Sequence, residues 1–395
     1  MPLTEASAQH STDRLIHRFR TLRAAEFPWT AETTYLNNAS IGPIPERTRR
    51  VVDALTAKRT APYLLPDRDL LTILVAARAA VAQLIHADVA EIGLATNTSH
   101  GINLAATALP LRRGDIVLVS DREFPANVYP WMRLRDRGIA VELAPTDASG
   151  WPDEEHLLAR LEDPRVRVLA VSFVQFSNGY RADLDRLGAA CRDRETFFVV
   201  DGIQGVGQLP LDVSQTPVDI LACGGQKWLL SPWGSGFVYV RKGLMEVLEP
   251  VVTGWMAFEG TDDFSHLTDY DATLRADARR YEMVTLPFQD LAGMVESLSM
   301  LTGIGLDRIA ERVRAVLEPI RDGAERGRFR LTSPVDPERA SGIVCVAPDR
   351  VAEAFHRLTK ADVVCALREG TIRLSPHFYN TIDEMARVAD LLAGT

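Results

Sequence analysis

The chain has 395 residues, of which 46% are hydrophobic and 25% are charged, a composition typical of a globular protein large enough for more than one domain. Its 44 basic and 53 acidic side chains give a formal net charge of −9, so no overall basic field is available to bind nucleic acid. Four widely spaced cysteines form neither a disulfide framework nor a zinc motif, which favours a reducing, cytoplasmic location and a site without metal.

The first 32 residues predict a helical arm. Leu15, Phe19 and Leu22 recur at helical spacing behind a candidate cap at Ser11, which predicts an amphipathic helix packed on the body of the protein. This arm lacks the apolar run of a secretory signal, and no stretch of the chain reaches the roughly 20 apolar residues of a spanning helix. We therefore expect a protein that is not exported by that route and has no membrane partner.

From residue 91 onward, short apolar runs alternate with helical patterns, which predicts a mostly parallel sheet covered by helices. The predicted strands are Glu91–Ala95, Ile116–Ser120, Val141–Ala144, Val166–Val174, Phe197–Asp201, Asp219–Ala222 and Gly236–Arg241. The predicted helices between them are His100–Leu109, Asn127–Arg137, Glu154–Leu161 and Leu184–Arg194.

A helix-rich stretch from Asp290 to about Arg326 leads into a smaller α+β unit. Its predicted elements are strands near Gly342–Val346, Val363–Leu367 and Thr371–Leu374 and a final helix at Asp383–Leu392. We expect three parts: an arm (1–32) that packs with the small domain, a large α/β domain (33–290) and a small α+β domain (291–395).

Three groups with unusual chemistry follow the predicted strands, at the sheet edge where ligands of such folds bind. Asp201 ends an apolar strand, where a carboxylate is costly unless it meets a cation or a strong donor. Lys227 follows another strand beside Trp228, and apolar surroundings lower the pKa of an amine and make it nucleophilic. Thr98 and Ser99 stand at a helix start, where free N–H groups favour a phosphate.

Taken singly, each of these features has an ordinary structural explanation, as a turn residue, a helix cap or a solvated surface lysine. Taken together they fit one ligand, pyridoxal phosphate. Lys227 would form the Schiff base, Asp201 would keep the ring nitrogen protonated, and the turn at Thr98 and Ser99 would hold the phosphate. The sequence therefore predicts an enzyme that uses this cofactor.

Four segments carry a resemblance to a known family. They are Tyr35-Leu36-Asn37-Asn38-Ala39, Val200-Asp201-Gly202-Ile203-Gln204, Gly225-Gln226-Lys227-Trp228 and Ile372-Arg373-Leu374-Ser375-Pro376-His377-Phe378-Tyr379-Asn380. Over roughly Thr33–Leu392 the chain resembles the class V aminotransferases of fold type I, a family that includes cysteine desulfurases, kynureninase and isopenicillin-N-epimerase-like proteins. The resemblance implies an α/β fold with a large, mostly parallel seven-stranded sheet domain and a smaller C-terminal α+β domain.

The resemblance also implies cofactor contacts. Gln204 would contact the phenolic oxygen of the ring, and Phe124 would stack on the ring where relatives often have a histidine. Either Gln175 or Asn178 would reach the cofactor rim. The phosphate contacts would be Thr98, Ser99, Gln226 and, from the neighbouring subunit of a homodimer, Thr285.

Substrate contacts follow from the same resemblance. Arg373 would bind the carboxylate of a small amino acid, because a guanidinium forms a bidentate pair with a carboxylate. Arg368 and Asn38 are further substrate-binding candidates, and His377 is a pocket candidate whose commoner role is structural. The active site would lie at the interface between the two subunits.

A cysteine loop that desulfurases carry before the substrate arginine is missing, because only four residues separate Arg368 from Arg373. Cys365 lies within an apolar run and is predicted to be a buried strand residue. Desulfuration is therefore disfavoured. Transamination is the favoured reaction, with β-elimination, epimerisation and a catalytically silent ligand-binding protein as alternatives.

Overall fold

The computed structural model describes residues 16–394, so Ser11 and Leu15 of the predicted N-terminal helix lie outside the described residues. The helices are α1 (16–26), α2 (Glu46–Arg59), α3 (Asp67–Ile85), α4 (Thr98–Ala108), α5 (Tyr129–Met132), α6 (Glu154–Arg160), α7 (Leu184–Asp193), α8 (Phe288–Ile304), α9 (Leu306–Glu325), α10 (Val351–Lys360) and α11 (Ile382–Ala393). The strands are β1 (Thr34–Tyr35), β2 (Ile92–Leu94), β3 (Ile116–Ser120), β4 (Ala140–Ala144), β5 (Val166–Ser172), β6 (Phe197–Asp201), β7 (Ile220–Gly224), β8 (Gly236–Val240), β9 (Arg330–Leu331), β10 (Val344–Ala347), β11 (Val363–Val364), β12 (Ala366–Arg368) and β13 (Thr371–Leu374).

Seven strands form the central sheet, in the order β2-β8-β7-β6-β5-β3-β4. Strands β3 to β7 run parallel, and β8 lies antiparallel between β7 and β2. The central strands are nearly continuous apolar runs because helices cover both faces of a parallel sheet. This confirms the predicted mostly parallel, seven-stranded sheet.

The predicted helix Asn127–Arg137 is wrong in form. Only Tyr129–Met132 is α-helical, and 3₁₀ turns occupy Pro125–Asn127 and Arg133–Arg137. Pro125 and Pro130, near the starts of Pro125–Asn127 and Tyr129–Met132, lack the N–H donors that a continuous helix would use. Helices α2, α3 and α10 have no counterpart among the predicted elements.

The C-terminal unit has a four-stranded antiparallel sheet in the order β12-β13-β10-β9. The predicted strand Val363–Leu367 is split at Cys365, because β11 pairs in parallel with β1 whereas β12 pairs with β13. Helix α1 packs on this unit, where the Phe19 ring lies 6.0 Å from that of Phe378. The expected domain boundaries stay a prediction.

The strand register brings the chemically unusual residues to one edge of the sheet. Ser172 of β5 pairs with Asp201 of β6, which pairs with Ala222 of β7. At the end of β7 the Gly224 N–H donates to Thr98 Oγ1 (2.9 Å), which joins the start of α4 to the same edge. Within residues 16–394 no helix is both long enough and apolar enough to cross a membrane.

Candidate active site

Lys227 lies in the turn that follows β7. The protein around the amine excludes most water, and this desolvation lowers its pKa to about 8. The negative charge of Asp201 raises that pKa, whereas the positive charges of Arg373 and Arg368 lower it. With a pKa of about 8, roughly a tenth of such an amine is neutral at pH 7, far more than for an ordinary lysine, so Lys227 has the character of a nucleophile.

Asp201 is buried at the end of β6. One carboxylate oxygen accepts a hydrogen bond from the Ile203 N–H at 3.0 Å. Burial raises its pKa to about 6, while that hydrogen bond and the positive charge of Lys227 lower it. Among residues 16–394 no basic side chain forms an ion pair with this buried acid, and a protonated ligand nitrogen would supply such a cation.

The start of α4 and the turn after β7 form one polar corner. Thr98 is buried and accepts from Gly224, whereas Ser99 is exposed in the first helical turn. The side-chain amide of Gln226 lies over Gly224, with Oε1 2.5 Å from the point where a Cβ of that glycine would stand. Free N–H groups at this helix start, together with these side chains, suit a phosphate. The structure thus brings Thr98, Ser99 and Gln226 together.

An N-terminal segment lies against the lysine turn. The Gly42 N–H donates to the Gln226 carbonyl at 2.8 Å, and a Cβ on Gly42 would come within 2.0 Å of the Lys227 carbonyl oxygen. Only glycine permits so close an approach of two backbones. The segment that directly follows the motif at residues 35–39 is therefore packed against the turn that carries Lys227.

Phe124 faces Lys227, with the amine nitrogen 5.5 Å from the ring centroid. Phe176 packs edge-on against Phe124 at 5.3 Å between centroids. Phe124 is 42% exposed, so part of its surface is accessible to a ligand. This placement is consistent with the predicted role of Phe124 as the residue that stacks on the ring.

Gln175 and Asn178 have different surroundings, and this separates the two rim candidates. Gln175 is buried and its Nε2 donates to Glu123 at 2.6 Å, but its Oε1 has no hydrogen-bond partner among residues 16–394. Asn178 is engaged at both ends, through Nδ2 to the Gly150 carbonyl (3.1 Å) and through Oδ1 from the Tyr180 N–H (2.9 Å). Of the two, only Gln175 has a buried atom left for a ligand.

Arg373 is 2% exposed on β13. Its guanidinium donates to the Phe176 carbonyl (2.8 Å) and to Ser40 Oγ (2.7 Å), while Nε has no partner within residues 16–394. None of the described acidic side chains forms an ion pair with it, and burial lowers its pKa to about 10. A buried cation without a counter-charge fits an anionic ligand.

Two other predicted site residues, one for substrate binding and one for a contact from the partner subunit, are exposed in this chain. Arg368 is exposed and donates to the Leu367 carbonyl at 2.8 Å, although its charge acts on Lys227 and Arg373. Thr285 is exposed, and a single chain does not test its predicted contact with a partner subunit.

The side chains of two motif residues are hydrogen-bonded to the surrounding fold. Gln204 donates to the Ala39 carbonyl (2.9 Å) and accepts from the Trp228 indole N–H (2.9 Å), so its amide oxygen is occupied, while its NH₂ group has a second hydrogen; the expected contact with the ring oxygen stays a prediction. Asn38 donates to the Ser375 carbonyl (2.8 Å) and accepts from the Tyr379 hydroxyl (3.1 Å), so it joins two segments of the fold.

His377 is a structural residue. Its Nε2 lies 3.1 Å from the Trp228 carbonyl and its Nδ1 accepts from the Phe378 N–H at 2.8 Å, so the ring is neutral with the proton on Nε2. Complete burial lowers its pKa to about 4. The ring is therefore not available as an acid or base.

A tight hairpin stands where desulfurases carry their cysteine loop. Arg368 pairs with Thr371, so Glu369 and Gly370 form a two-residue turn, and both have positive φ, as a type I′ turn requires. Cys365 is partly buried between β11 and β12, and burial raises the pKa of its thiol to about 12. Neither feature supplies a reactive thiolate.

Two further residues contribute to the site, and neither had a role predicted from the sequence. Glu123 is a buried carboxylate with its pKa raised to about 7 by burial, and it binds Ser172 and Gln175. Ser40 contacts Arg373 from a distant part of the chain. In the sequence Glu123 stands directly before Phe124, in the segment Glu123-Phe124-Pro125-Ala126-Asn127 that resembles the family, and Ser40 directly follows the motif at residues 35–39.

An open cleft of about 570 Å³ adjoins these residues. Phe176 and Glu123 line both the cleft and the site described above, and the far wall includes Glu369 and Thr371 of the hairpin. Thr371 and Arg373 lie on the same face of β13, because side chains two residues apart in a strand point the same way.

Comparison with known proteins gives the family. Residues 66–388 match the aminotransferase class-V family. An uncharacterized aminotransferase of Bacillus subtilis (strain 168), YcbU, is 30% identical over 320 residues, covering 80% of this chain and 82% of that protein. Isopenicillin N epimerase of Streptomyces clavuligerus is 30% identical over 374 residues, covering 90% and 93%. An apo cysteine desulfurase from Thermococcus onnurineus NA1 shares the fold, with a TM-score of 0.83, 22% identity and coverage of 95% of this chain and 97% of that chain.

The chain belongs to the class V aminotransferase family. It is a pyridoxal-phosphate-dependent enzyme of fold type I. The residues present fit that cofactor, because a nucleophilic amine, a buried carboxylate, a helix start and an unpaired buried amide oxygen lie along one sheet edge.

Proposed function

We propose that this protein is a homodimeric aminotransferase acting on the α-amino group of a small amino acid. The cofactor, when bound, supplies an electron sink for the charge that develops at the substrate Cα. Lys227 is the amine that would hold it covalently, and Asp201 would pair with its ring nitrogen. This assignment rests on the lowered pKa of Lys227 and on the burial of Asp201 without a cation in direct contact.

The other binding roles are proposed on the same basis. Thr98, Ser99 and Gln226 would hold the phosphate, with Thr285 supplied by the partner subunit. Phe124 would stack on the ring, and Gln175 would contact its rim. Arg373 would bind the substrate carboxylate, and the adjoining cleft leaves room for the substrate side chain.

One observation carries the choice of reaction: Lys227 is a buried amine whose pKa is lowered to about 8, and the two ring side chains described near it offer no second base. Phe124 opposite it has no titratable atom, and His377 is locked by two hydrogen bonds. Transamination needs one base that moves a proton between Cα and the cofactor carbon, which the freed Lys227 amine would do. Epimerisation needs a proton donor on the opposite face of Cα as well.

A first experiment tests the cofactor assignment. Purified wild-type protein supplied with pyridoxal phosphate should acquire the absorbance of a lysine-bound cofactor, and Lys227→Ala should abolish this absorbance and lower turnover by about 10²–10⁴-fold or more. Cys365→Ser is the matched control and should retain both. A wild-type protein that refuses the cofactor would support the silent ligand-binding alternative.

A second experiment separates the reactions. The enzyme is incubated with a panel of amino acids, with and without a 2-oxo acid acceptor. We expect amino transfer that depends on the acceptor. Release of a 2-oxo acid and ammonia without an acceptor would establish β-elimination instead, and inversion at Cα would establish epimerisation.

A further inference from the structure

Glu123 is a buried carboxylate saturated with donors. It lies just beyond β3 and is 6% exposed. Its Oε1 accepts from the Ser172 N–H (2.8 Å) and from Gln175 Nε2 (2.6 Å), and its Oε2 accepts from the Ser172 hydroxyl and from Asn127 Nδ2 (3.2 Å). Four donors converge on one carboxylate.

This arrangement determines how two amide side chains are turned. An ionised carboxylate can only accept hydrogen bonds, so both amides must direct their NH₂ groups toward Glu123. Their oxygens, Gln175 Oε1 and Asn127 Oδ1, are buried and have no hydrogen-bond partner within residues 16–394. A buried acceptor without a donor costs free energy, which a bound ligand that donates would recover.

Gln175 lies among the residues that we propose hold the cofactor ring. Ser172, which Glu123 binds twice, pairs in register with Asp201 on the next strand. Phe176, the next residue after Gln175, packs against Phe124, which faces Lys227. The chain segment that carries Gln175 therefore borders the proposed ring site rather than a remote part of the fold.

We propose that Glu123 is a positioning residue that holds the Gln175 amide so that Oε1 accepts a hydrogen bond from the hydroxyl group of the cofactor ring. The inference rests on the proposed binding of the cofactor at Lys227. An acceptor at this place stabilises the protonated hydroxyl, whereas a donor would stabilise the ionised oxygen. Pyridoxal imines with a protonated ring hydroxyl absorb at shorter wavelength than those with an ionised ring oxygen, so the effect can be read from the spectrum.

The test compares absorbance spectra of the cofactor-loaded wild type and two variants at a pH above 7, where Glu123 is ionised. In Glu123→Gln the new amide can donate to Gln175, which lets the Gln175 amide turn and present its NH₂ group to the ring. We expect the ratio of the long- to the short-wavelength band to rise by about 3- to 10-fold. Gln175→Leu, which removes the acceptor, should shift the ratio in the same direction.

Two further measurements distinguish positioning from general destabilisation. Glu154→Gln makes the same change at another buried carboxylate, which binds Arg339 and the Asp183 N–H, and it should lower thermal stability without moving the band ratio. The double variant Glu123→Gln with Gln175→Leu should shift the ratio no further than the larger single change, because both act through one contact.

Specific outcomes would overturn the proposal. An unchanged band ratio in Gln175→Leu, or a shift toward the short-wavelength band, would show that Gln175 Oε1 does not accept from the ring hydroxyl. A ratio that moves in Gln175→Leu but not in a folded Glu123→Gln would show that Glu123 does not orient it. If Glu123→Gln fails to fold, the band ratio of Gln175→Leu still decides whether Gln175 Oε1 accepts from the ring hydroxyl, without which the proposal fails. A wild type that takes up no cofactor would refute the proposed function and this inference together.

Discussion

Arg78 and Arg373 are both buried, at 8% and 2% exposure, yet their electrostatic surroundings differ completely. Arg78 forms a two-point ion pair with Glu282 (2.7 and 2.6 Å), and Glu282 also accepts from the Leu94 N–H at 2.9 Å. Within residues 16–394, Arg373 donates only to an uncharged carbonyl and a hydroxyl. A fold that neutralises one buried guanidinium and leaves the other incomplete indicates a structural role for Arg78 and a ligand for Arg373.

The largest expected effect is on folding at the paired site. Arg78→Met leaves the Glu282 carboxylate buried without its cation, which should lower the free energy of unfolding by about 3–5 kcal/mol in chemical denaturation. Adding Glu282→Met removes the stranded charge and should restore part of that loss, although the Leu94 N–H then lacks an acceptor. If Arg78→Met lowers the free energy of unfolding by less than about 1 kcal/mol, the ion pair with Glu282 does not stabilise the fold and Arg78 does not have the structural role inferred for it.

At the unpaired site we expect activity to suffer more than stability. Arg373→Met leaves no buried carboxylate without its cation. The free energy of unfolding should therefore fall by only about 1 kcal/mol, from the two lost hydrogen bonds. The value of kcat/KM for the amino acid should fall about 10²-fold, because the substrate carboxylate loses a charged, two-point partner.

Arg373→Lys sharpens the same comparison. It keeps the charge but not the planar fork, so kcat/KM should lie between those of the wild type and Arg373→Met. If Arg373→Met instead unfolds as readily as Arg78→Met while keeping full kcat/KM, the arginine is structural.

The smallest expected effect is a shift in a pH profile. Only the neutral Lys227 amine can attack the cofactor aldehyde, so in the wild type the rate of cofactor capture by apoenzyme should fall below a pH of about 8 and level off above it. Arg373→Met removes a positive charge that lowers the pKa of Lys227, so the midpoint should move to higher pH. Rapid-mixing absorbance measurements across pH would check both. A midpoint near the ordinary lysine pKa of about 10.4 would contradict the first expectation, and an unmoved midpoint the second.

Much of the fold could be predicted, because periodicity along the chain reports local structure. Each central strand was found from its apolar run, and the predicted parallel sheet is confirmed. Errors arose where local signals conflict: the segment 127–137 has helical composition, but prolines and 3₁₀ turns break it into short pieces. The split at Cys365 was not predictable either, since it depends on pairing with β1.

The candidate site shows the same division. Lys227, Asp201 and the helix start at Thr98 could be identified because each follows a strand, and strand ends meet at one edge. The ring contact of Gln204 stays a prediction, and its partners in the structure, the Ala39 carbonyl and the Trp228 indole, could not be predicted because only the folded chain brings them to it. Glu123 was missed because its importance lies in four contacts that no linear pattern records.

The sequence by itself determined the sheet, the chemical types available at its edge and the absence of the desulfurase cysteine loop. Those properties depend on residue identity and short-range spacing. The tertiary structure decided which side chains are satisfied and which are left open: both ring nitrogens of His377 are hydrogen-bonded, whereas within residues 16–394 Gln175 and Arg373 keep buried polar atoms without a partner. The physical reason is that hydrogen-bond saturation, desolvation and charge pairing are set by residues distant in the chain, which meet only when it folds.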